Sequence, residues 1–412
     1  MKIQLIEAFQ GGHHSNYIEA LLPTFRHFLE NGRLSEVVIT ITPRHFEALQ
    51  EQGVIKTEQV NLRFSPNLPE TNPDPNTWDR KHLFDVMNAA VKEVRPDAVI
   101  CTSADYDVMM NALFKRQAHF GFKSGTRAVG IFHYGFPSGV ALSWKERVKQ
   151  WIYETSWRHA SWDRFLFVNP LVYESLLAKN DAFSQKLTLL PDPVVAKIDI
   201  DKIEARQRLN LPTEGTYLGF VGMMDNRKAI PEVLAGFVHS KAHETSRLLL
   251  AGFMSPEYAA IIESQYGDLV KSQRIIVMNR FLSNEEVQLG YAAIDVNVLL
   301  QYRRMNLSAN LLKAVSYEKP IIVDDCGYTG MMTKRFALGE LCHVLEIASV
   351  SAAITRAIAR SENYQTSPQA RRLLAFHSPE NYGNTIMSEL LAEQNKEELL
   401  SWDWVCQGVD QY

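Results

Sequence analysis

The sequence predicts an α/β protein made of two doubly wound, Rossmann-like domains. Short apolar segments alternate with longer amphipathic segments along most of the chain, a pattern typical of βαβ units around a parallel sheet. The joint Leu190-Pro191-Asp192-Pro193 separates two such series. The length of 412 residues also favours two domains, because a single hydrophobic core rarely grows beyond about 250–300 residues.

The two series define the candidate elements. Strands are predicted in the first series at residues 3–8, 37–42, 98–101, 128–133 and 164–168, and in the second at 217–222, 246–252, 275–278, 296–300 and 320–323. Residues 61–77, rich in Pro and Asn, are expected to form a surface loop. A closed (β/α)₈ barrel is the alternative, but it requires about eight even repeats, which the uneven first series does not provide.

Composition narrows the class of protein. The net charge of −4 gives no reason to expect general affinity for nucleic acid. The N-terminal segment lacks the features of a signal peptide, and no apolar run approaches the roughly 20 residues of a transmembrane helix. The cysteines, Cys101, Cys326, Cys342 and Cys406, lack CxxC spacing. Their scatter indicates a reducing compartment without structural zinc, so a cytoplasmic location is expected.

Two candidate ligand-binding features lie in the first half. The motif Gly11-Gly12-His13-His14-Ser15-Asn16 follows the first strand, where glycines allow close approach and a helix N-terminus attracts anions. An ordinary turn with Ser15 or Asn16 as N-cap is the alternative. His133 ends a strand, and ligands of open α/β sheets bind at carboxyl ends of strands. A purely structural histidine is the competing interpretation.

Two further features lie in the second half. Gly222 ends a strand and is followed by Arg227 and Lys228, two cations that suit a diphosphate. A solvated basic loop is the alternative. Asn306 or Ser308 can cap the next helix, whose unpaired N–H groups would form a second anion-binding element. Capping without any ligand is the alternative there.

A Trp-rich segment at residues 143–159 requires its own interpretation. At helical spacing, one face carries the stripe Trp144, Val148, Trp151, Ile152 and Thr155. Core packing of this stripe is expected. The alternative is contact with lipid head groups through Lys145, Arg147 and Lys149, which lie away from that stripe.

Together these segments resemble the retaining GT-B glycosyltransferases of family 4. Residues 190–194 resemble the family's interdomain hinge, residues 219–230 its donor loop, residues 276–282 its nucleobase loop, and residues 311–323 a further helix and strand of its donor domain. Gly11, Gly12 and His133 fall where the family has a Gly-rich donor loop and a cleft histidine near the transferred sugar.

The resemblance implies a nucleotide-diphosphate sugar as donor, no metal and no cofactor. It assigns residues 1–190 to an acceptor domain and 191–375 to a donor domain. Residues 376–412 would be a C-terminal helix and tail, with the helix at 379–391 crossing back to the first domain. His133 would be the catalytic residue that orients the sugar, and Arg280, Phe281 and Leu282 would form the nucleobase loop. The implied donor or phosphate-binding residues are Gly11, Gly12, His13, Gly222, Arg227, Lys228, Asn306, Leu307, Ser308 and Lys313.

The sequence also departs from the family pattern. Met223 replaces an arginine, and Met305 and Lys313 stand where the family has two glutamates that contact the sugar and the ribose. The first hypothesis is therefore a divergent transferase that acts on a glycan, a lipid-linked sugar or a small molecule, with peripheral membrane contact compatible with it. The alternative is a catalytically inactive binding or scaffold protein of a glycan pathway. Epimerisation or hydrolysis of a sugar nucleotide is a third hypothesis, since one fold hosts several functions.

Overall fold

The computed structural model describes residues 1–9, 14–55, 61–70, 80–105, 125–136, 142–160, 162–194, 197–302, 308–392 and 399–409. The chain divides into two compact units. Unit 1 contains Met1–Pro193 and His377–Leu400, and unit 2 contains Val194–Phe376 and Ser401–Tyr412. Each unit therefore combines a long segment with a shorter one from the C-terminal region.

Strands and helices alternate along both long segments. Up to residue 193 the elements are β1 (Lys2–Ile6), α1 (His14–Glu30), β2 (Glu36–Thr40), α2 (Pro43–Glu51), β3 (Leu62–Ser65), α3 (Arg80–Val94), β4 (Ala98–Cys101), β5 (Arg127–Phe132), α4 (Trp144–His159), β6 (Arg164–Phe167), α5 (Pro170–Leu177) and β7 (Leu187–Leu189). The later elements are α6 (Lys202–Arg208), β8 (Thr216–Val221), α7 (Ile230–His239), β9 (Ser246–Ala251), α8 (Pro256–Lys271), β10 (Ile275–Met278), α9 (Asn284–Ala293), β11 (Val296–Val298), α10 (Ala309–Ser316), β12 (Ile321–Asp324), α11 (Gly327–Phe336), β13 (Gly339–Cys342), α12 (Ile347–Ser361), α13 (Pro368–Phe376), α14 (Pro379–Leu391) and α15 (Trp402–Val405).

Each unit is built on one parallel sheet. The strand order is β3-β2-β1-β4-β5-β6-β7 in unit 1 and β10-β9-β8-β11-β12-β13 in unit 2. In both sheets the order reverses next to the first strand, between β1 and β4 and between β8 and β11. Central strands such as β1 are buried on both faces, as expected where helices cover a parallel sheet. The predicted class of two Rossmann-like α/β domains is confirmed.

The predicted strands are all present, with ends shifted by up to two residues. Three short strands, β3, β7 and β13, were not predicted. The expectation of a loop over residues 61–77 is wrong for β3, where Leu62–Ser65 pairs with β2. Only Leu62 of this edge strand is buried, so the local pattern is too weak to predict a strand, and pairing with β2 decides the structure.

The predicted core stripe of α4 is also wrong. Trp144 and Trp151 are 71% and 67% exposed, and the buried side chains of this helix include Tyr153 and Trp157. Trp157 packs edge-on against Phe167 with ring centroids 5.0 Å apart. The helix therefore carries two apolar faces, and the one that contains Trp157 fills the core.

The C-terminal segments complete both units. In unit 1, α14 packs against α1 so closely that a Cβ at Gly383 would lie 2.1 Å from Thr24 Oγ1. In unit 2, Trp402 of α15 contacts the rings of Phe336 and Phe376, with centroids 5.9 and 5.4 Å away. Both contacts join residues that are far apart in sequence.

Candidate functional site

Polar side chains gather where the strand order of each sheet reverses, which is where doubly wound sheets bind ligands. In unit 1 the chain leaves β1 at Glu7, β4 at Thr102 and β5 at His133. In unit 2 it leaves β8 at Gly222, and Gln301 lies three residues beyond the end of β11. The two sites are described separately.

Glu7 is a fully buried carboxylate at the end of β1. His14 Nδ1 lies 2.9 Å from Glu7 Oε2, Thr102 Oγ1 donates to the same oxygen at 2.6 Å, and the Phe9 N–H donates to Oε1 at 2.8 Å. Burial alone would raise the pKa of Glu7, but the charge of His14 and these hydrogen bonds lower it to about 2. Burial likewise opposes protonation of His14, but Glu7 outweighs it and raises the pKa of His14. Glu7 and His14 therefore form a buried ion pair.

His133 is fixed at the end of β5 through its backbone and its ring. Its N–H donates to Asp105 Oδ2 at 2.6 Å, and its Nε2 lies 2.9 Å from the Thr102 carbonyl oxygen. Because a carbonyl only accepts, Nε2 carries the proton and Nδ1 is the acceptor of the ring. Burial lowers the pKa of His133 to about 4, so the imidazole is neutral at pH 7. Burial also raises the pKa of Asp105 to about 7, against the hydrogen bonds that it accepts.

Aromatic side chains enclose one face of His133. The Tyr17 ring stacks on the imidazole with centroids 5.5 Å apart and also stacks on Tyr382 of α14. Its hydroxyl donates to Asp192 Oδ1 at 3.0 Å, and the Asp192 N–H donates to His377 Nδ1 at 2.7 Å. This series of contacts holds the ring of His133 in one orientation.

The glycine motif is described only in part. Gly11, Gly12 and His13 lie outside the described residues, so their predicted role as a donor loop stays a prediction. Ser15 is inside α1, and its Oγ lies 3.1 Å from His45 Nε2. Since α1 begins at His14, neither Ser15 nor Asn16 is the N-cap residue, and that capping assignment is wrong. The alternative of an ordinary turn falls on residues 10–13, which lie outside the described residues.

In unit 2, Gly222 and Gly252 end the neighbouring strands β8 and β9 with φ values of +131° and +137°. A Cβ at Gly252 would lie 2.0 Å from the Gly222 carbonyl oxygen, and a Cβ at Gly222 would lie 3.3 Å from Asn310 Nδ2 in the first turn of α10. Both positions therefore require glycine. The end of β8 and the start of α10 form one compact corner.

Lys228 lies beside this corner and is 8% exposed. Its Nζ donates to Gln301 Oε1 at 3.0 Å and lies 5.8 Å from the centroid of the Phe220 ring. An isolated antiparallel bridge joins the backbones of Lys228 and Gln301. The Gln301 Nε2 is buried without a hydrogen-bond partner among the described residues. The structure thus brings Lys228 to the reversal point of the sheet next to an unsatisfied amide.

The other residues that the sequence assigns to phosphate binding differ from one another in burial and in hydrogen-bond partners. Arg227 is exposed and its guanidinium bonds to both carboxylate oxygens of Asp225, with Nε at 3.0 Å from each. Asn306 and Leu307 lie outside the described residues, as do Arg303, Arg304 and Met305. Ser308 precedes α10 in extended conformation and makes no side-chain cap bond. Lys313 is half-buried on α10, one turn after Asn310.

The predicted nucleobase loop follows β10. Phe281 is 72% exposed and stacks face to face on Phe253, with centroids 4.8 Å apart and planes at 7°. Arg280 pairs with Glu286 through two hydrogen bonds. These bonds, and the Ser283 N–H that also donates to Glu286, lower the pKa of Glu286 to about 2. Leu282 is half-buried. Phe281 is therefore the member of the loop that offers a flat apolar surface.

One group of described side chains has a composition suited to a cation. Ligand atoms of Asp324, Asp325 and His343 lie within 4.8 Å of one another at the ends of β12 and β13. Asp324 already accepts the Val344 N–H at 3.0 Å and the Cys326 thiol at 2.6 Å. The group therefore makes a poor match for a dedicated cation site, and the expectation of a metal-free protein stays a prediction.

None of the helices in the described parts of the chain combines the length and the apolar character that a membrane span requires.

Sequence reasoning missed Glu7, Asp105 and Tyr17 as parts of the unit 1 site, and it named His14 as a member of the glycine motif without its partner Glu7. A signal for Glu7 exists, since a carboxylate directly after an apolar central strand must be either paired or exposed at the strand's carboxyl end. Asp105 and Tyr17 carry no such signal. Their positions depend on long-range contacts with His133 and Asp192.

Comparisons with known proteins bear on the fold of the chain. Neither a protein-family model nor a curated protein sequence matches the chain. Among solved structures, a glycosyltransferase from Rickettsia africae shares 12% identity with a TM-score of 0.64, covering 96% of this chain and 99% of its own. The sucrose-phosphate synthase of Thermosynechococcus elongatus shares 16% identity with a TM-score of 0.66, over 95% and 99%. Anabaena HepE, solved with UDP and glucose, shares 13% identity with a TM-score of 0.63, over 95% and 100%.

These similarities define the architecture. The chain has the GT-B fold that is found in glycosyltransferases. At such low identity the likeness shows the fold alone, so the activity has to be argued from the residues of this chain.

Proposed function

We propose that the protein is a glycosyltransferase that moves a sugar from a nucleotide-diphosphate sugar to an acceptor. The observation that carries the proposal is the corner of unit 2 where Gly222 meets α10 and Lys228 lies at the reversal point of the sheet. A diphosphate oxygen there could contact the Lys228 ammonium and satisfy the orphaned Nε2 of Gln301. The bound UDP and glucose of the similar HepE structure support this class of ligand.

The donor site would combine three recognition elements of unit 2. Lys228 and the N-terminus of α10, which begins at Ala309 after Ser308, would hold the diphosphate. The exposed Phe281 ring would stack on the nucleobase, since aromatic rings bind bases through their flat faces. Arg227 would contribute only after exchanging its Asp225 partner for a phosphate.

The transfer step would need no protein nucleophile. The bond from the sugar C1 to the diphosphate oxygen breaks, the acceptor oxygen bonds to C1, and the acceptor proton passes to the departing phosphate. Fixed donors around the diphosphate stabilise its developing charge, which is usually a large contribution to catalysis. We propose a retaining and metal-independent reaction, on the resemblance of the donor segments to family 4.

We assign the acceptor, together with His133, to unit 1. The neutral imidazole, held through Nε2 by Thr102, would orient the transferred sugar. We also propose a cytoplasmic location, which is supported by the scatter of the cysteines without CxxC spacing.

A catalytically inactive binding protein is the second candidate, and specific observations favour it. Lys313 stands where family members carry a ribose-binding glutamate, and Met223 stands where they carry an arginine. The Arg227 guanidinium is already occupied by Asp225. The donor would then bind without reacting.

Binding is tested first, because both candidates require it. We expect Lys228→Ala to weaken nucleoside-diphosphate binding by about 1.5–3 kcal/mol, the cost of a charged hydrogen bond, as measured by calorimetry. Lys271→Ala is the matched control. This exposed lysine ends α8 just before β10 and therefore lies at the amino ends of the strands, away from the proposed site. Lys228→Met retains the apolar stem and separates loss of charge from loss of packing. An unchanged affinity in both Lys228 variants for every nucleoside diphosphate contradicts the phosphate assignment.

Catalysis is tested second, with a panel of nucleotide sugars and candidate acceptors. Released nucleotide that depends on His133 and Lys228 is expected for the transferase. Tight donor binding with no release across the panel would instead establish the binding protein.

A further inference from the structure

The outer face of α4 forms a surface that neither the core of unit 1 nor the proposed site uses. Trp144, Val148 and Trp151 are 71%, 48% and 67% exposed. Two exposed tryptophans one heptad apart lie about 10 Å from each other along the helix axis. Such a concentration of exposed aromatic surface indicates an interaction site rather than chance exposure.

The exposed and buried side chains of α4 lie on opposite faces of the helix. At about 100° per residue, Trp144, Val148, Trp151 and Thr155 lie opposite the buried side formed by Tyr153, Ser156 and Trp157. The helix is therefore held to unit 1 by one aromatic face and presents the other outward. A capping box between Ser143 and Glu146 fixes its first turn, so the outward face is a rigid surface.

Cations flank the exposed aromatics. Lys145 and Arg147 are exposed on either side of the aromatic stripe, and Lys145 Nζ lies 5.7 Å from the centroid of the Trp144 ring. Lys149 lies instead towards the inner face, with its Nζ 5.6 Å from the centroid of the Tyr153 ring. The two carboxylates of the helix are engaged elsewhere, Glu146 in the capping box and Glu154 with Lys179. The outward face of α4 is thus apolar at its centre and positive at its edges.

We propose that this outward face of α4 docks the protein on an anionic lipid bilayer. A helix with aromatic side chains on one face and flanking cations is suited to lie in the plane of a membrane interface, where tryptophan is enriched. Protein interfaces enrich tryptophan and arginine but deplete lysine, so a second copy of the chain is the competing occupant that the test has to distinguish. Electrostatic attraction would act despite the net charge of −4, since the cations are concentrated on one face.

The test is sedimentation of the full chain with two kinds of vesicle, phosphatidylcholine alone and phosphatidylcholine mixed with phosphatidylglycerol. Trp144→Ser with Trp151→Ser removes the apolar centre, and Lys145→Glu with Arg147→Glu reverses the flanking charge. Leu345→Ser is the control for a large exposed apolar side chain, and Lys271→Glu is the control for charge reversal, both in unit 2. Circular dichroism melts verify that each variant is folded.

The wild-type protein and both controls are expected to bind the mixed vesicles and to dissociate as salt is raised, because salt screens the attraction. The double serine variant should lose at least about tenfold in partitioning for each tryptophan removed. The double glutamate variant should lose at least about twentyfold, since each basic residue at an anionic surface contributes about fivefold.

Absence of wild-type binding to the mixed vesicles overturns the proposal, and so does equal binding to phosphatidylcholine alone. Light scattering addresses the competing occupant, a second copy of the chain. Loss of a dimer in the serine variant, with no change in vesicle binding, would assign the surface to self-association instead. The test requires neither donor binding nor turnover, so its failure is separate from failure of the proposed function.

Discussion

The buried pair Glu7–His14 yields a quantitative prediction about stability. Glu7 has a pKa of about 2 in the folded protein against an ordinary value of 4.5, and each pKa unit corresponds to about 1.4 kcal/mol, so its ionised form contributes roughly 3 kcal/mol. Glu7→Gln keeps the size and one carbonyl oxygen but removes the charge. We expect it to lower the free energy of unfolding of unit 1 by about 3 kcal/mol at the most favourable pH.

The loss of unfolding free energy in Glu7→Gln should depend on pH. Because the folded pKa of Glu7 is depressed, its contribution is present above about pH 4.5 and is lost as the pH falls towards 2. Because the folded pKa of His14 is raised, its contribution is complete below about pH 6.5 and is lost as the pH rises through the folded value. The difference between wild type and variant should therefore be largest between about pH 4.5 and 6.5.

Urea unfolding followed by hydrogen exchange resolves unit 1 from unit 2, which is needed because two units need not unfold in a single transition. Glu36→Gln is the control, since this carboxylate also pairs with cations, Lys2 and Arg63, but has a side chain 30% exposed. Exposed pairs contribute at most about 1 kcal/mol. A Glu7 effect that stays constant from pH 4 to 9, or equals that of Glu36, would refute the reasoning.

Three further predictions concern the candidate sites and the fold. His133→Ala should lower turnover far more than donor affinity, as judged from kcat and a separate binding measurement, and equal losses would remove His133 from the reacting centre. Phe281→Ala should weaken UDP binding by about 1–3 kcal/mol and leave pyrophosphate binding unchanged, and a parallel loss of both would argue against base stacking. Gly252→Ala should destabilise unit 2 by more than about 1–3 kcal/mol in urea unfolding, because strained backbone and a clash with Gly222 add. Gly267→Ala in α8 should not destabilise unit 2, because a Cβ at Gly267 would meet nothing within 4 Å. Similar losses of stability in the two variants would contradict the requirement for glycine at position 252.

The architecture follows from patterns that act locally. The apolar runs of β1 and β8 depend on nearby residues, so sequence alone locates these two strands. The short edge strand β3 depends on pairing with β2 and was missed. The Trp144 stripe was assigned to the core because periodicity shows that a helix has an apolar face, but not which of two apolar faces meets the sheet.

The candidate site was predictable only in its positions along the chain. Lys228 and His133 follow strands, and parallel topology brings strand ends to one edge. Their partners, Gln301 and Asp105, come from distant segments and are set by tertiary packing. No sequence pattern indicates that the charge of Arg227 is taken by Asp225 or that Glu7 is buried.

The helix α14 has a consequence for biosynthesis. Its packing on α1, through contacts such as Gly383 with Thr24, joins the beginning of unit 1 to a segment made after β13 of unit 2. During translation, the seven strands of the first sheet emerge long before the helix that covers α1. Unit 2 in turn receives Trp402 only afterwards. A ribosome-bound chain therefore holds two incomplete cores at once, and a nonsense mutation between residue 376 and α14 would damage both.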